Sequence, residues 1–182
     1  MAAVRAYAPA PVEGVPGLSL AADAISMAEE ADIIARLEAG DWSAQLTRAT
    51  QQFGATYHYA TRRLLAAPPV PDWLAALAPF AADQILVNKY EPGQGIAPHT
   101  DDARHFGPRV AALSLGSDVT MDWARGDRYV ALRAPRRSLV VFEGEARERW
   151  THGIAARASD VVGGRRVRRG VRYSVTFRTL RG

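Results

Sequence analysis

The sequence predicts an α+β protein: a jelly-roll β-core with helices from the N-terminal half packed on its outside. Three observations lead there. Helical periodicity is confined to the stretch before Gln84, and short β-type runs broken by turn residues follow from Gln84 onward. The chain has 182 residues, 48% of them hydrophobic, which fits one core and leaves no room for a second domain of ordinary size. Residues 1–182 are therefore expected to form a single domain with one active site.

Residues 1–17, with Pro9, Pro11 and Pro16, read as an irregular N-terminal arm. Ser26 and Glu29 have the spacing of a capping box. Met27, Ala31, Ile34 and Leu37 then recur at helical intervals until Gly40 supplies a stop, which predicts a helix with one buried face. A second short helix is expected to start at Pro71 and Asp72, carry Trp73, Leu74 and Leu77, and end at Pro79. Strands are expected over 85–90, 110–115, 119–123, 129–132, 138–142 and 171–179. Strands this closely spaced imply a sandwich or barrel.

Cysteine is absent, which excludes a disulfide framework, thiolate metal sites, iron–sulfur clusters and a cysteine nucleophile. Any metal must use nitrogen and oxygen ligands. No apolar run approaches the roughly 20 residues needed to span a bilayer, and the first residues lack a secretory pattern. A cytoplasmic, monomeric protein is expected, with no membrane partner. The formal net charge is +4 and the sequence pI about 9.8, which favours a polyanionic partner. Lys89 is the only lysine, so arginine bias in the coding sequence is an equally good source of that charge.

His99 and Asp101 are two positions apart, so in an extended segment both side chains project from one face. With His152 they can complete a facial set of two histidines and one carboxylate, which leaves three adjacent metal positions open, as non-haem iron(II) oxygenases require. The same ligands also suit zinc. In the C-terminal run, alternation puts Arg172, Ser174, Thr176 and Arg178 on one face and Tyr173, Val175 and Phe177 on the other. That pattern fits a solvated edge strand. It equally fits two guanidinium groups converging on a dicarboxylate. Asn88 and Tyr90 share a face of the strand before the His-x-Asp turn and can add donors to the same anion. A zinc hydrolase, a protein hydroxylase and a non-enzymatic binding module stay open on these residues, although paired arginines have no role in the first.

Asn88-Lys89-Tyr90-Glu91-Pro92-Gly93, His99-x-Asp101, His152 and Arg172-x-Ser174-x-Thr176-Phe177-Arg178 together resemble the ordered signature of AlkB-type dioxygenases. The resemblance implies a double-stranded β-helix and an enzyme using Fe(II), 2-oxoglutarate and O2. It implies that His99, Asp101 and His152 hold the iron. Asn88, Tyr90, Arg172, Ser174 and Arg178 would hold 2-oxoglutarate, with Arg172 on its distal carboxylate and Arg178 nearer the metal. Ser174 stands where many relatives have asparagine, so one contact would be shorter or pass through water. The stretches at 90–96, 113–117, 135–139 and 150–154 are similar to the branch that hydroxylates modified wobble uridines of transfer RNA. Members of that branch usually carry RNA-binding and methyltransferase domains as well. The implied reaction is hydroxylation or oxidative demethylation of a modified nucleobase, with RNA favoured over DNA; alkylation repair of DNA or RNA is the alternative.

On the substrate side, Gln52, Tyr57, His58 and Tyr59 fall where the family places a lid over the base, and aromatic side chains can stack an extruded base. Ordinary hydrophobic strand packing explains each of them, taken singly, slightly better. Arg165, Arg166 and Arg168 form a basic run suited to phosphate contact, or simply a solvated hairpin. Repair-type relatives read an exocyclic amine with an aspartate two positions after the metal-binding aspartate, and Ala103 stands there. Asp102 is expected to point away from Asp101, and His105 to lie on the substrate side rather than on the metal.

Overall fold

In the computed structural model, residues 5–44, 46–58, 61 and 63–181 are described. Before the jelly roll begins, the chain lays down β1 (Ala10–Pro11), β2 (Leu18–Ala21), α1 (Met27–Glu38), β3 (Ala49–Phe53), β4 (Ala55–His58), β5 (Arg63–Ala66) and α2 (Asp72–Ala75). The expected irregular arm of residues 1–17 thus holds one short strand, because β1 pairs antiparallel with β2. Then follow β6 (Gln84–Tyr90), β7 (Ile96–His99), β8 (Phe106–Leu115), β9 (Val119–Arg125), β10 (Arg128–Ala134) and β11 (Leu139–Glu143). A short α3 (Gly144–Glu148), β12 (Thr151–Ile154), β13 (Ser159–Val162), β14 (Arg165–Arg168) and β15 (Arg172–Leu180) complete the chain.

Two sheets carry the architecture. A seven-stranded sheet runs β1-β2-β11-β8-β15-β6-β3, and a four-stranded sheet runs β10-β9-β12-β7. β4–β5 and β13–β14 stand apart as two-stranded hairpins. The α+β jelly roll expected from the sequence is therefore the observed fold, with more strands than the apolar runs revealed.

The seven-stranded sheet is covered on both faces. Ile85, Val87, Ala111, Leu113, Leu115, Tyr173, Val175 and Phe177 pack with Ile33 and Leu37 of α1 and with Leu74 and Leu77 at α2. Each such large side chain contributes about 1.5–3 kcal/mol by leaving water. Between the two sheets, Val110, Val140, Phe142, Met121, Trp123, Leu132 and Trp150 form a second cluster. β15 lies in the middle of the large sheet, between β8 and β6. Its polar alternates are consequently buried as deeply as its apolar ones, which rules out a solvated edge strand.

α1 starts as expected. Ser26 Oγ accepts from the Glu29 amide (3.2 Å), and Glu29 Oε2 accepts from the Ser26 amide (2.8 Å). Its buried face is rotated from the apolar periodicity, however: Glu30, Ile33 and Leu37 are buried and Met27 is exposed. Glu30 is drawn inward by Arg136 (Nη2 at 2.5 Å) and by the Gly116 amide (2.8 Å), pairing a buried charge as burial requires. At the other end Gly40 does not stop the helix with a left-handed turn. The Gln51 side chain of β3 caps it instead, Nε2 donating to the Leu37 carbonyl (2.8 Å). α2 is a single turn, shorter than the expected 71–79 helix, although Leu74 is buried as anticipated.

Gly54 redirects the chain from β3 into β4 at φ +77, and a Cβ there would overlap the Asp83 carbonyl oxygen. Gly93 has φ +97 but faces open space. Gly54→Ala is expected to destabilise the fold by about 2 kcal/mol or more, and Gly93→Ala by about 1 kcal/mol, in urea unfolding followed by circular dichroism. Equal losses at the two positions would show that the Asp83 contact is not what fixes glycine at 54.

Candidate active site

The inward faces of the two sheets enclose a cavity of about 1010 Å³. Pairing of β7 with β12 sets His99 directly opposite His152, and β12 in turn pairs with β9 so that His152 lies opposite Trp123. The chain then leaves β7 through Thr100 and delivers Asp101 to the same point. One ligand atom from each of His99, Asp101 and His152 lies within 4.8 Å of the other two, a spacing that one metal ion bridges. Among the described residues no other group of this kind occurs.

Neighbouring groups fix each ligand. His99 Nδ1 donates to the Ala97 carbonyl (2.9 Å), which turns Nε2 toward the site. His152 stacks on Trp123 with centroids 5.0 Å apart and 28° between planes. Burial pushes the His152 imidazole down to about 4, against the pull of Asp101, so it is neutral and ligand-ready at physiological pH. For Asp101, burial would raise the carboxyl. Arg178, followed by His152, His99 and Arg147, outweighs this and holds it below the ordinary carboxylate value. Asp101 Oδ1 is ion-paired with Arg178 Nη2. Its other oxygen, Oδ2, is buried without a hydrogen-bond partner and lies 3.7 Å from His152 Nε2. A buried carboxylate oxygen left open between two imidazoles fits a metal that takes nitrogen and oxygen donors.

Further into the cavity, Arg172 is 4% exposed. Its Nη2 donates to Ser114 Oγ (2.9 Å), and the guanidinium lies 5.5 Å from the centre of the Tyr90 ring. Nε and Nη1 are buried with no partner. Burial lowers its pKa to about 10, so it is still a cation at neutral pH. Asn88, Ser174 and Arg178 line the same cavity. A buried positive charge with two open donors suits a carboxylate.

A jelly roll holding a facial metal triad beside a buried arginine pair defines the class of non-haem iron enzymes that bind a dicarboxylate co-substrate. The family model of the 2OG-Fe(II) oxygenase superfamily matches residues 22–178, and the chain belongs to that family as an AlkB-type member. It is 32% identical to the "tRNA (carboxymethyluridine(34)-5-O)-methyltransferase ALKBH8" of Macaca fascicularis, over 91% of this chain and 31% of that protein. It is 29% identical to the "Probable RNA/DNA demethylase ALKBH6" of Danio rerio, over 82% of this chain and 74% of that protein. The solved structure of OsALKBH1 superposes with a TM-score of 0.77 at 16% identity, covering 94% of this chain and all of that one, a likeness of fold. The chain thus spans less than a third of the macaque relative. Its class is a 2-oxoglutarate-dependent dioxygenase, with Fe(II) and 2-oxoglutarate as cofactors.

The structure gathers His99, Asp101, His152, Asn88, Tyr90, Arg172, Ser174 and Arg178 around one space. Tyr57 and Ala103 also line it. Gln52 and His58 are not among the lining residues: Gln52 Oε1 accepts from the Tyr57 amide (3.1 Å), and His58 is exposed beside Thr61. Tyr59 lies outside the described residues. Arg165, Arg166 and Arg168 are exposed on β14, away from the cavity lining. His105 is not grouped with the metal ligands and packs edge-on to Tyr57.

Asp102 corrects an expectation. Residues 102–106 form a turn, with the His105 and Phe106 amides donating to the Asp102 carbonyl, so the Asp102 side chain is not turned away from the site but lines the cavity. Oδ2 accepts from Tyr57 OH (3.0 Å) and Arg104 Nη2 (2.6 Å), and Oδ1 from the Arg104 amide and Nε (3.0 Å each). These donors depress its pKa and occupy both oxygens.

Two arginines escaped sequence reasoning. Arg48 Nε donates to Asn88 Oδ1 (2.7 Å), while its guanidinium stands 5.8 Å from the Tyr90 ring centre. Arg147 on α3 donates to the carbonyls of Asp101 (2.8 Å) and Phe106 (3.4 Å), stapling the metal-bearing turn. Nothing distinguished either from the other arginines of the sequence. Ser114 did carry a signal, being the one hydroxyl in the apolar run 110–115.

His99→Ala is expected to lose one-to-one binding of Co(II) or Mn(II) in isothermal titration while keeping the wild-type circular dichroism spectrum. Three protein ligands cannot spare one. Wild-type metal affinity in the folded variant would eliminate the site.

Proposed function

We propose that the chain hydroxylates or oxidatively demethylates a modified nucleobase in RNA, with a uridine-type base of transfer RNA as the preferred substrate. In this reading His99, Asp101 and His152 hold Fe(II), and Arg172 takes the distal carboxylate of 2-oxoglutarate. The observation that carries the co-substrate assignment is the pair of open, buried donors on Arg172. Tyr90 and Asn88 add donors from the neighbouring strand, and Arg48 fixes the Asn88 amide so that its NH2 faces the cavity. Arg178 keeps Asp101 ionised and close to the second carboxylate. Ser174 and Thr176, small on the same face of β15, leave room for the carbon chain between the two arginines.

Iron and 2-oxoglutarate together supply oxidation of a C–H bond by O2, giving the alcohol, succinate and carbon dioxide. The protein's part is to exclude water and position the base. About 1010 Å³ is ample for the co-substrate and leaves space at the Tyr57 side for a planar base. Phe142 and Phe106 wall the metal side, Trp123 backs His152, and Arg147 holds the Asp101 turn while the site fills.

Two findings support a uridine-type base. Ala103 offers no acceptor to an exocyclic amine, and both Asp102 oxygens are already engaged by Tyr57 and Arg104. An adenine or cytosine amine would stay unpaired, which costs about 1–3 kcal/mol. The names of the relatives point the same way in part, one to uridine 34 of tRNA and the other to RNA or DNA demethylation.

Arg172→Ala is expected to raise the 2-oxoglutarate dissociation constant about 10- to 150-fold, equivalent to about 1.5–3 kcal/mol, and to leave metal affinity nearly unchanged. Turnover should recover in part at high co-substrate concentration. Unchanged 2-oxoglutarate binding in the metal-loaded variant would remove Arg172 from the co-substrate site.

Substrate choice is tested by comparing formaldehyde release from oligonucleotides bearing 1-methyladenine or 3-methylcytosine with hydroxylation of a modified-uridine anticodon stem-loop. The second should be faster by about tenfold or more, as the missing acceptor requires. Efficient demethylation with no uridine hydroxylation would replace the reading with alkylation repair and leave the metal and co-substrate sites standing.

A further inference from the structure

β13 and β14 form a ribbon that belongs to neither sheet. Residues 157–169 hold five arginines and one aspartate, so the ribbon and its root carry the whole +4 of the chain and the remainder is neutral. Many arginines elsewhere pair with carboxylates, as in Arg5–Glu29, Arg109–Glu143 and Arg136–Glu30. On the ribbon the one carboxylate is already engaged. Asp160 accepts from Arg169 through Nε and Nη2 (2.7 Å each) and from Arg157 Nε (2.9 Å). Arg165, Arg166 and Arg168 are exposed, and none has a carboxylate within ion-pair reach among the described residues.

The ribbon is built to hold these cations in place. Gly163 and Gly164, at φ +55 and +77, make the tight turn that joins Val162 to Arg165. At the root, Asp160 Oδ2 accepts from the Thr120 amide (3.3 Å), Arg169 Nη1 donates to the Ala155 carbonyl (2.8 Å), and the Gly170 amide donates to Ser117 Oγ (2.9 Å). Register puts Asp160, Val162, Arg165 and Val167 on one face of the ribbon, and Val161, Arg166 and Arg168 on the other, with Arg165 next to the turn. Val161 is 68% exposed there, an apolar side chain displayed among fixed positive charges.

Position supplies the last element. A small crevice beneath the root is lined by Arg169 and Gly170 together with Tyr90, Ile154 and Arg172, and the last three also line the main cavity. The ribbon therefore rises from the cavity wall itself. We infer that the β13–β14 ribbon is a phosphate-binding arm that holds the backbone of an RNA strand while one of its bases enters the cavity. This rests on the RNA reading proposed above. Arg166 and Arg168, on one face of a braced ribbon, match neighbouring phosphates, Arg165 at the turn adds a third cation at the tip, and Val161 offers apolar contact to a sugar or base edge. An anionic membrane surface would also attract these charges, but it would not explain why the root of the ribbon shares wall residues with a catalytic cavity.

The test uses the full chain loaded with Mn(II) and 2-oxoglutarate, and a fluorescent anticodon stem-loop RNA followed by anisotropy across a salt series. The triple variant Arg165→Gln, Arg166→Gln, Arg168→Gln should bind roughly tenfold or more weakly, and its slope of log affinity against log salt should be shallower by about 2. The corresponding triple lysine variant should restore the slope, and 2-oxoglutarate affinity should be the same in all three proteins. If the glutamine variant binds RNA with wild-type affinity and slope, the ribbon assignment is overturned while the RNA reading stands. If the wild-type protein binds no RNA, both fall. Binding to phosphatidylserine vesicles in preference to RNA, lost in the glutamine variant, would reassign the ribbon to a membrane surface and overturn the inference.

Discussion

β15 carries two guanidinium groups into the interior of a β-sandwich, and the rest of the site is arranged around that burial. An unpaired charge transferred from water into a protein interior costs several kcal/mol, so each arginine must be offset locally or await a partner. Arg178 is offset by Asp101. Arg172 has only the Ser114 hydroxyl and the face of Tyr90, and keeps two donors open. The sheet can hold the pair because the alternate residues Tyr173, Val175 and Phe177 of β15 pack in the cluster that α1 and α2 cover. One strand thus joins the main core to the polar wall of the cavity.

The same strand reaches the metal through Arg178. Its pairing with Asp101 leaves one carboxylate oxygen for the ion, and Arg147 holds the backbone of that turn from the opposite side. The β7–β12 pairing sets the two imidazoles opposite each other across the ladder, tilted by 49° with 4.5 Å between centroids. Burial of His152 against Trp123 and Phe142 keeps its imidazole neutral, so a ligand is available without a proton leaving first. Arg178 and Arg147 thus act on Asp101 together, one on its carboxylate and one on its backbone.

The metal triad was legible in the sequence because His99 and Asp101 stand two apart, and because, with His105 too near that pair to close the set, His152 was the remaining later histidine. The helix–strand order was legible for the same reason, from period alone. What escaped has identifiable causes. β4, β7 and β12 carry the site residues Tyr57, His99 and His152, and β3 carries Gln51, which caps α1; these polar or aromatic residues dilute the apolar pattern that marks a strand. The face of α1 was misjudged because Glu30 is buried by tertiary pairing with Arg136, which no apolar count detects. Asp102 was misplaced because a turn, and not a strand, follows Asp101. Arg48 and Arg147 gave no signal in a sequence this rich in arginine. The polar alternation of β15 was visible, but whether it faced water or the interior depended on its place between β8 and β6, which is a property of the whole sheet.

Ligand-dependent thermal stability reads the open donors of Arg172 most directly. The wild-type, Mn(II)-loaded protein would be melted with saturating 2-oxoglutarate and, separately, with 2-oxobutyrate, which keeps the metal-chelating end and lacks the distal carboxylate. A carboxylate site at Arg172 requires 2-oxoglutarate to stabilise the fold by about 2.7 kcal/mol at a hundredfold excess over its dissociation constant, and 2-oxobutyrate at the same concentration to give a small fraction of that shift. Equal stabilisation by the two acids would contradict it, since the distal carboxylate would then be meeting nothing.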